Sequence, residues 1–330
     1  MRSTSVLSAA ALCLVSACSD NIPVEPNTAA LSAFSSRASL VSSDAELTAI
    51  NPAIENIPAE LGAPAGEFVV SSAQLLYDVE AVKGASPTLI LANDRMKLTA
   101  AQWVKNDPRR GGHDGLKWGY LAANVPVPMF DPSVQGSIRA ATPSELESGL
   151  VSAVGAWDAR SCSSEPFTRL FPGQPGTPDV IQVGWQPNAW FVAMFGPNGS
   201  SIIGVTLTSI FVNNLVDKIP TDIDGNGRPD LGQAVIVYNA GKIWADNGPL
   251  GTVDLFSIAA HETGHALGIG HFGKVFVNKK NVLIENGVPT ISLEDIKYAP
   301  KALMNAVYVT GRSDILGTDH SSFCEIWAGR

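Results

Sequence analysis

Charged residues are scarce in this chain, and basic residues are the scarcer kind. Only 16% of its 330 residues are Asp, Glu, Lys or Arg, and 31 acidic against 22 basic residues give a formal net charge of -9. Non-specific nucleic-acid binding needs a basic surface, so we expect no nucleic-acid partner. Hydrophobic residues make up 45%, which is enough for a sizeable core in one large domain or in two.

Long apolar runs are also missing, apart from a short one at the start. The opening MRSTSVLSAAALCLVSAC holds the apolar run Val6–Val15, which is too short to span a bilayer and indicates an export signal over residues 1–17. Its end, LVSAC, resembles the lipobox of bacterial lipoproteins, which implies that Cys18 is lipidated. The alternative is an ordinary signal peptide cleaved after Ala17. We therefore expect an exported protein, held at the bacterial envelope or surface only by an N-terminal lipid, or otherwise secreted.

Cysteine is rarer still, with four in the chain. Cys13 would be removed with the signal and Cys18 would carry the lipid, which leaves Cys162 and Cys324 as one pair. In an oxidising compartment we expect these two to form a disulfide. The alternative is a pair of buried free thiols.

The remaining chain divides into three predicted parts. Residues 18–45 are rich in Ser, Ala, Pro and Asn without a period, which is typical of a flexible tether. Residues 46–113 are either a propeptide or an N-terminal subdomain. From 114 to 330, strand-like runs lie between a first helix capped by Thr142, a second helix and a terminal helix capped by Asp319, which indicates an α+β domain. We expect a monomer.

Histidine is rare too, yet three of the five histidines lie in the stretch AAHETGHALGIGHF. His261 and His265 are four apart, which on a helix places them on one face, one turn apart. Gly268 can adopt the left-handed conformation that ends a helix, so that the reversed chain can bring His271 to the same ion. Three imidazoles and a water make an open catalytic zinc site, with Glu262 as the general base. The alternative is three histidines satisfied by hydrogen bonds.

The pattern HExxHxxGxxH resembles the zinc motif of the metzincin metalloproteases. The resemblance implies a zinc endopeptidase that acts on proteins or peptides. It also implies a twisted, mainly parallel mixed sheet, an active-site helix, a C-terminal helix and a methionine turn. ALMNAVY supplies that turn, with Met304 as an apolar floor that does not bind zinc. The chain is most like the matrixins, over about 114–330 and most closely over 252–308, which implies that Tyr308 lines the pocket for the residue after the cut.

Two further features follow from the matrixin resemblance. In matrixins an edge strand above the zinc pairs with the substrate, and IIGVTLT, with Gly204 and Val205, is the candidate for it; the alternative is an interior strand. Where the matrixin propeptide motif PRCGxPD has its cysteine, PRRGGHD has Arg110, and arginine does not ligate zinc. The substitute ligand is then His113 or Asp114; the alternative is that His113 lies in a surface turn.

A second cluster of metal-type ligands lies in DIDGNGRPD. Asp222, Asp224 and Asn226 stand at alternate positions, as at the start of an EF-hand loop. The Arg228 carbonyl and Asp230 would complete the ligands. Flanking helices and the final glutamate are missing, so we expect a calcium-stabilised loop between strands. The alternative is a polar hairpin loop.

Two other classes of function stay open beside the endopeptidase. One is a surface binding protein that keeps zinc for structure, and the other is a zinc hydrolase of non-peptide substrates. A structural zinc site normally has four protein ligands and needs no general base. The glutamate of the motif therefore favours an enzyme.

Overall fold

The part of the chain described below comes from a computed structural model. It comprises residues 46–47, 52–63, 66–78, 90–93, 101–121, 125–134, 137–172, 174–249, 251–277, 283–285, 288–290, 296–299, 301–308, 311 and 313–328. The predicted signal, lipidation at Cys18 and tether lie outside these residues. All the described residues belong to one compact unit, Arg37–Arg330. The domain boundary expected near residue 113 stays a prediction.

Five α-helices are distributed among the strands of the described chain. The α-helices are α1 (Pro52–Glu60), α2 (Pro143–Asp158), α3 (Asn188–Phe195), α4 (Leu255–Ala266) and α5 (Gly317–Trp327). The strands are β1 (Glu46–Leu47), β2 (Phe68–Asp78), β3 (Ile90–Asn93), β4 (Leu116–Tyr120), β5 (Pro128–Asp131), β6 (Ser137–Ala140), β7 (Phe167–Leu170), β8 (Val180–Gln186), β9 (Ile202–Phe211), β10 (Leu231–Asn239), β11 (Trp244–Ala245), β12 (Val253–Asp254), β13 (Gly273–Val277), β14 (Leu283–Glu285), β15 (Val288–Thr290), β16 (Ile296–Ala299) and β17 (Val307–Tyr308). Within these residues no helix is both long enough and apolar enough to span a bilayer.

The main sheet is mixed and mostly parallel, as expected. Its strand order is β1-β2-β9-β10-β8-β4-β7, with β17 also paired to β2. The strands β10, β8, β4 and β7 run parallel to one another, and β17 runs parallel to β2. Strand β9 is antiparallel to both of its neighbours, β2 and β10. Strand β2 is part of this sheet although it comes from the region before residue 114.

The sheet separates two hydrophobic cores, because successive side chains of a strand point to opposite faces. On one face, Leu76 belongs to the core that includes buried residues of α2, α4 and α5. On the other, Leu75 and Val205 belong to the core shared with α1 and α3. Strands β2, β9 and β10 are buried on both faces, which explains their nearly continuous apolar sequences.

Helix α2 forms where the sequence predicts it, with the expected capping box at its start. The Thr142 side chain accepts from the Glu145 backbone N–H, and the Glu145 carboxylate accepts from the Thr142 backbone N–H. Along the helix, Gly149 lies against Leu255 of α4, and a Cβ there would come within 2.4 Å of the leucine side chain. The glycine therefore allows the two helices to approach closely.

Helix α4 is held by three tryptophans from three separate parts of the chain. Their indole N–H groups donate to carbonyls in or just after the helix: Trp103 to Ala266 (2.7 Å), Trp157 to Ala260 (2.8 Å) and Trp327 to Leu267 (3.2 Å). All three rings are buried. Carbonyls at the end of a helix lack partners within it, so Trp103 and Trp327 satisfy the end of α4, while Trp157 holds its middle.

The terminal helix carries the disulfide that the sequence predicts. The Sγ atoms of Cys162 and Cys324 are 2.01 Å apart, which confirms their pairing and excludes the buried free thiols. The predicted cap is wrong, since the N-cap of α5 is Leu316 and Asp319 lies in the first turn. The Asp319 carboxylate accepts from the backbone N–H of the N-cap residue Leu316 (2.9 Å), so it stabilises the start of the helix from the first turn.

Candidate metal centre

Helix α4 and the turn after it bring the three predicted histidines together. His261 and His265 lie one turn apart on the helix, and the chain reverses at Gly268, whose φ is 96°. The Gly268 N–H donates to the His265 carbonyl (3.0 Å). This left-handed glycine ends the helix as expected, and the reversed chain places His271 beside the other two rings.

The three imidazoles point their Nε2 atoms at one another. The Nε2–Nε2 distances are 2.9 Å between His261 and His265, 3.0 Å between His265 and His271, and 3.1 Å between His261 and His271. The Nδ1 atoms of His261 and His265 lie 2.6 Å from the Leu303 and Ile269 carbonyl oxygens, respectively. A carbonyl only accepts, so these Nδ1 atoms carry the hydrogens and the Nε2 atoms of the neutral rings present lone pairs. Two lone pairs at 2.9 Å repel, and a cation between them removes that repulsion.

The cluster can therefore hold one metal ion. Tetrahedral bonds of about 2.0–2.1 Å to zinc would separate the nitrogens by roughly 3.3 Å, close to the spacing found. Burial lowers the pKa of His261 to about 4, against the opposing effect of its bond to Leu303. The ring is thus neutral at neutral pH, which is the form that binds metals. The backbone carbonyls at Nδ1 orient the rings in the way that outer partners of metal-bound histidines do.

Glu262 lies next to this cluster and contacts strand β9. Its Oε2 accepts from the Thr206 hydroxyl (2.6 Å). Its Oε1 is buried and has no hydrogen-bond partner among the described residues. Burial raises the pKa of Glu262 to about 8, and the Thr206 bond opposes that rise. One carboxylate oxygen is thus held in place while the other is available.

Met304 lies under the helix between the first two histidines, where the resemblance places it. A Cβ at Gly264 would come within 2.5 Å of the Met304 sulfur, so the thioether packs against the helix backbone. The Met304 carbonyl accepts from the Phe272 N–H (3.2 Å). Asp319 of α5 accepts from the backbone N–H groups of Leu303 (3.0 Å) and Met304 (3.1 Å). The methionine turn is thus bonded to the histidine segment and to the terminal helix.

These contacts are consistent with the metzincin resemblance but come from this chain alone. No known protein-family model matches the chain, and no curated protein matches it in sequence. What stands independently of any family is the local geometry: three converging imidazoles, an adjacent glutamate and a methionine floor.

The predicted substrate strand does not lie at an edge of the sheet. Strand β9 is paired on one side with β2 and on the other with β10, so the expectation of an edge strand is wrong and the interior alternative is confirmed. Gly204 faces Glu262, and a Cβ there would come within 2.6 Å of Oε1. Val205 points to the opposite core, away from Glu262, because side chains alternate along a strand.

Tyr308 lies beside β2 at the start of helix α4. Its hydroxyl accepts from the Asp254 N–H (3.0 Å) and donates to the Gly311 carbonyl (3.2 Å). Asp254 is the N-cap of α4. Tyr308 thus supports the helix that carries the histidines, and its place in a substrate pocket stays a prediction.

The acidic loop after β9 gathers its carboxylates near one another. The ligand oxygens of its three aspartates lie within 4.8 Å of each other, close enough to hold an ion. All three already have protein partners: Asp222 accepts from the Gly227 N–H (2.8 Å), Asp224 from Asn226 Nδ2 (3.0 Å), and the buried Asp230 from Arg109 Nη2 (2.8 Å). All the predicted ligands lie in this loop: Asp222, Asp224, Asn226, Arg228 and Asp230.

The segment PRRGGHD is used for structure. Arg110 Nε donates to Asp179 (2.9 Å), and His113 Nε2 lies 2.8 Å from the same carboxylate. The Arg110 guanidinium also lies over the Trp103 ring, 4.7 Å from its centre. His113 therefore contacts the Asp179 carboxylate and is not part of the histidine cluster.

Sequence reasoning missed three contributors to this site. Trp103 and Asp319 act through backbone groups, and Thr206 acts from a strand without a motif. A polar residue within an apolar run was the available signal for Thr206, which stands inside IIGVTLT.

Proposed function

We propose that this chain is an exported zinc-dependent endopeptidase of the metzincin type, most like the matrixins. The observation that carries the proposal is the combination of three converging Nε2 atoms with a neighbouring glutamate whose Oε1 is unpaired. Catalytic zinc sites commonly have three protein ligands and keep one position open, whereas structural sites are closed by a fourth ligand. The three described histidines match the catalytic kind.

Zinc bound by the histidines would polarise the scissile carbonyl and increase the acidity of a water. Glu262 Oε1 would accept a proton from the attacking water and return it to the leaving amine. The Thr206 hydroxyl holds Oε2 and so keeps Oε1 in one orientation.

Export, lipidation at Cys18 and calcium in the acidic loop belong to the same proposal. The disulfide supports export, because disulfides persist in oxidising compartments. For the loop, the check is whether calcium raises the melting temperature of the zinc-loaded protein.

One observation favours a second candidate, a binding protein with a structural metal. All four motif side chains are buried, and His271, the most exposed of them, is only 7% exposed. A substrate can reach such a site only if the surrounding chain opens. A zinc hydrolase of non-peptide substrates is the third candidate, and only its substrate distinguishes it.

Glu262→Gln tests the proposal directly, because it keeps the side-chain shape and removes the base. We expect one zinc per chain in both proteins and a loss of peptide turnover of at least about 100-fold in the variant. Zinc is measured by elemental analysis, and turnover with a pool of quenched fluorescent peptides. Equal turnover would remove Glu262 from its role. A zinc-loaded wild type that cleaves no peptide would favour the binding protein with a structural zinc site. A wild type that hydrolyses esters but not peptides would favour the zinc hydrolase of non-peptide substrates.

A further inference from the structure

Strand β2 lies beside the glutamate of the metal centre, although it belongs to the region that the sequence leaves unassigned. It pairs with β9 along its length, with Gln74 opposite Thr206 and Leu76 opposite Gly204. The Thr206 hydroxyl donates to the Glu262 carboxylate, and Gly204 lies against the same side chain. Strand β2 is thus the next strand outward from the one that holds the glutamate.

The side chain of Gln74 is on the face of the sheet that contacts Glu262. Directly opposed residues of an antiparallel pair point to the same face, so Gln74 shares the face of Thr206. The neighbouring pair confirms this register, since the hydroxyls of Ser72 and Thr208 are 2.7 Å apart. Leu76, two residues later, belongs to the core of that same face.

Gln74 is wholly buried, and neither atom of its carboxamide has a hydrogen-bond partner among the described residues. Buried polar groups are nearly always hydrogen-bonded, because an unpaired group loses its interactions with water without replacement. The same is true of Glu262 Oε1. Glu262 Oε1 lies against Gly204, which is diagonal to Gln74 across β2 and β9. Two unpaired polar groups on one face of this strand pair indicate a small polar group shared between them.

We propose that Gln74 is a positioning residue of the centre: its carboxamide hydrogen-bonds the water that Glu262 Oε1 holds for attack. This inference rests on the proposed function. The amide N–H donates to the water oxygen, which leaves both water hydrogens for Glu262 and for the amide oxygen. Strand β2 is then a lasting part of the enzyme, and a propeptide that includes it cannot be discarded.

Gln74→Met tests this role, because methionine has a similar length but no donor or acceptor. Ser72→Ala is the matched control, a buried polar position on the same strand and face. The zinc proteins are compared in kcat and KM, the cobalt-substituted proteins in their visible spectra, and the metal-free proteins in Tm. We expect Gln74→Met to lower kcat about 10- to 100-fold, to keep KM within about threefold of wild type and to change the cobalt spectrum. We do not expect it to lower the Tm of the metal-free protein, because it removes an unpaired amide. We expect Ser72→Ala to keep both kcat and spectrum.

Two results would overturn the role of Gln74. One is a folded Gln74→Met protein with wild-type kcat and cobalt spectrum, and Gln74→Leu takes its place if the methionine variant does not fold. The other is mass spectrometry that shows an active form lacking residues 66–78. If the wild type cleaves no peptide, the endopeptidase proposal fails, and the cobalt spectra alone decide whether Gln74 contacts the group at the metal centre.

Discussion

Replacement of Gly204 by alanine would place one methyl group directly against the Glu262 carboxylate. The added Cβ would be 2.6 Å from Oε1, 3.0 Å from Cδ and 3.1 Å from Cγ. Non-bonded carbon and oxygen atoms do not approach so closely, so the carboxylate or the strand must move by roughly 0.5–1 Å. Extra volume in a packed core costs about 1–3 kcal/mol of unfolding free energy.

The effect on turnover should be larger than the effect on stability suggests. A shift of about 1 Å in a catalytic group can cost about 100-fold in rate, so we expect kcat to fall about 10- to 100-fold in Gly204→Ala. Zinc should stay bound, because His261 and His265 are oriented by the carbonyls of Leu303 and Ile269 and not by Gly204. Turnover of a quenched peptide and zinc content are measured on the same samples.

Two controls separate a displaced glutamate from general damage. Gly119→Ala adds the same methyl group in another strand of the sheet, where its nearest neighbour would be at an ordinary 3.4 Å, and should leave turnover unchanged. Glu262→Asp shortens the carboxylate side chain and should recover part of the stability lost in Gly204→Ala, so that the two changes are non-additive. Wild-type turnover in Gly204→Ala, or additive losses of stability in the double variant, would refute the contact.

Two further predictions concern parts of the chain away from the glutamate. Cys324→Ser opens a loop of 162 residues closed through Cys162, and should lower the unfolding free energy by at most about 5 kcal/mol; a denaturant titration with an unchanged midpoint would contradict this. Hydrogen bonds from the Arg139 guanidinium and, to a smaller extent, from the Thr142 N–H lower the pKa of Glu145 to about 2. The carboxylate therefore stabilises the fold fully above its unfolded pKa of about 4.5, and this contribution is lost as pH falls through about 2. The stability gap between wild type and Glu145→Gln should therefore be present at pH 7 and close between pH 4.5 and 2, and a gap that is constant with pH would argue against the pairing.

The local parts of this site could be predicted from the sequence because each depends on a short spacing. Four residues make one helix turn, so His261 and His265 share a face, and a glycine with positive φ returns His271 to them. The capping box at Thr142 is equally local. In each case the interacting groups are separated by ten residues or fewer, and the chain has few ways to connect them.

The non-local parts could not be predicted, for reasons that particular strands make clear. A strand that is apolar on both faces has the same sequence pattern at an edge of a sheet as in its interior. The run containing Gly204 could therefore not be assigned to either position from the sequence. Its outer neighbour β2 is more than 120 residues away in sequence, and no pattern in either run specifies the pairing. The proposed role of Gln74 depends wholly on that pairing.

The support of the metal centre crosses the chain in the same non-local way. Asp319 in α5 accepts from the Leu303 and Met304 N–H groups, and the Leu303 carbonyl in turn lies 2.6 Å from His261 Nδ1. Burial raises the pKa of Asp319, while those backbone bonds oppose the rise. These two backbone bonds join the methionine turn to the terminal helix, so the turn and the helix hold each other in place. The disulfide through Cys324 joins that helix to the turn after α2. Its loss should therefore act on His261 through two hydrogen-bonded steps, and should change metal affinity less than it changes stability.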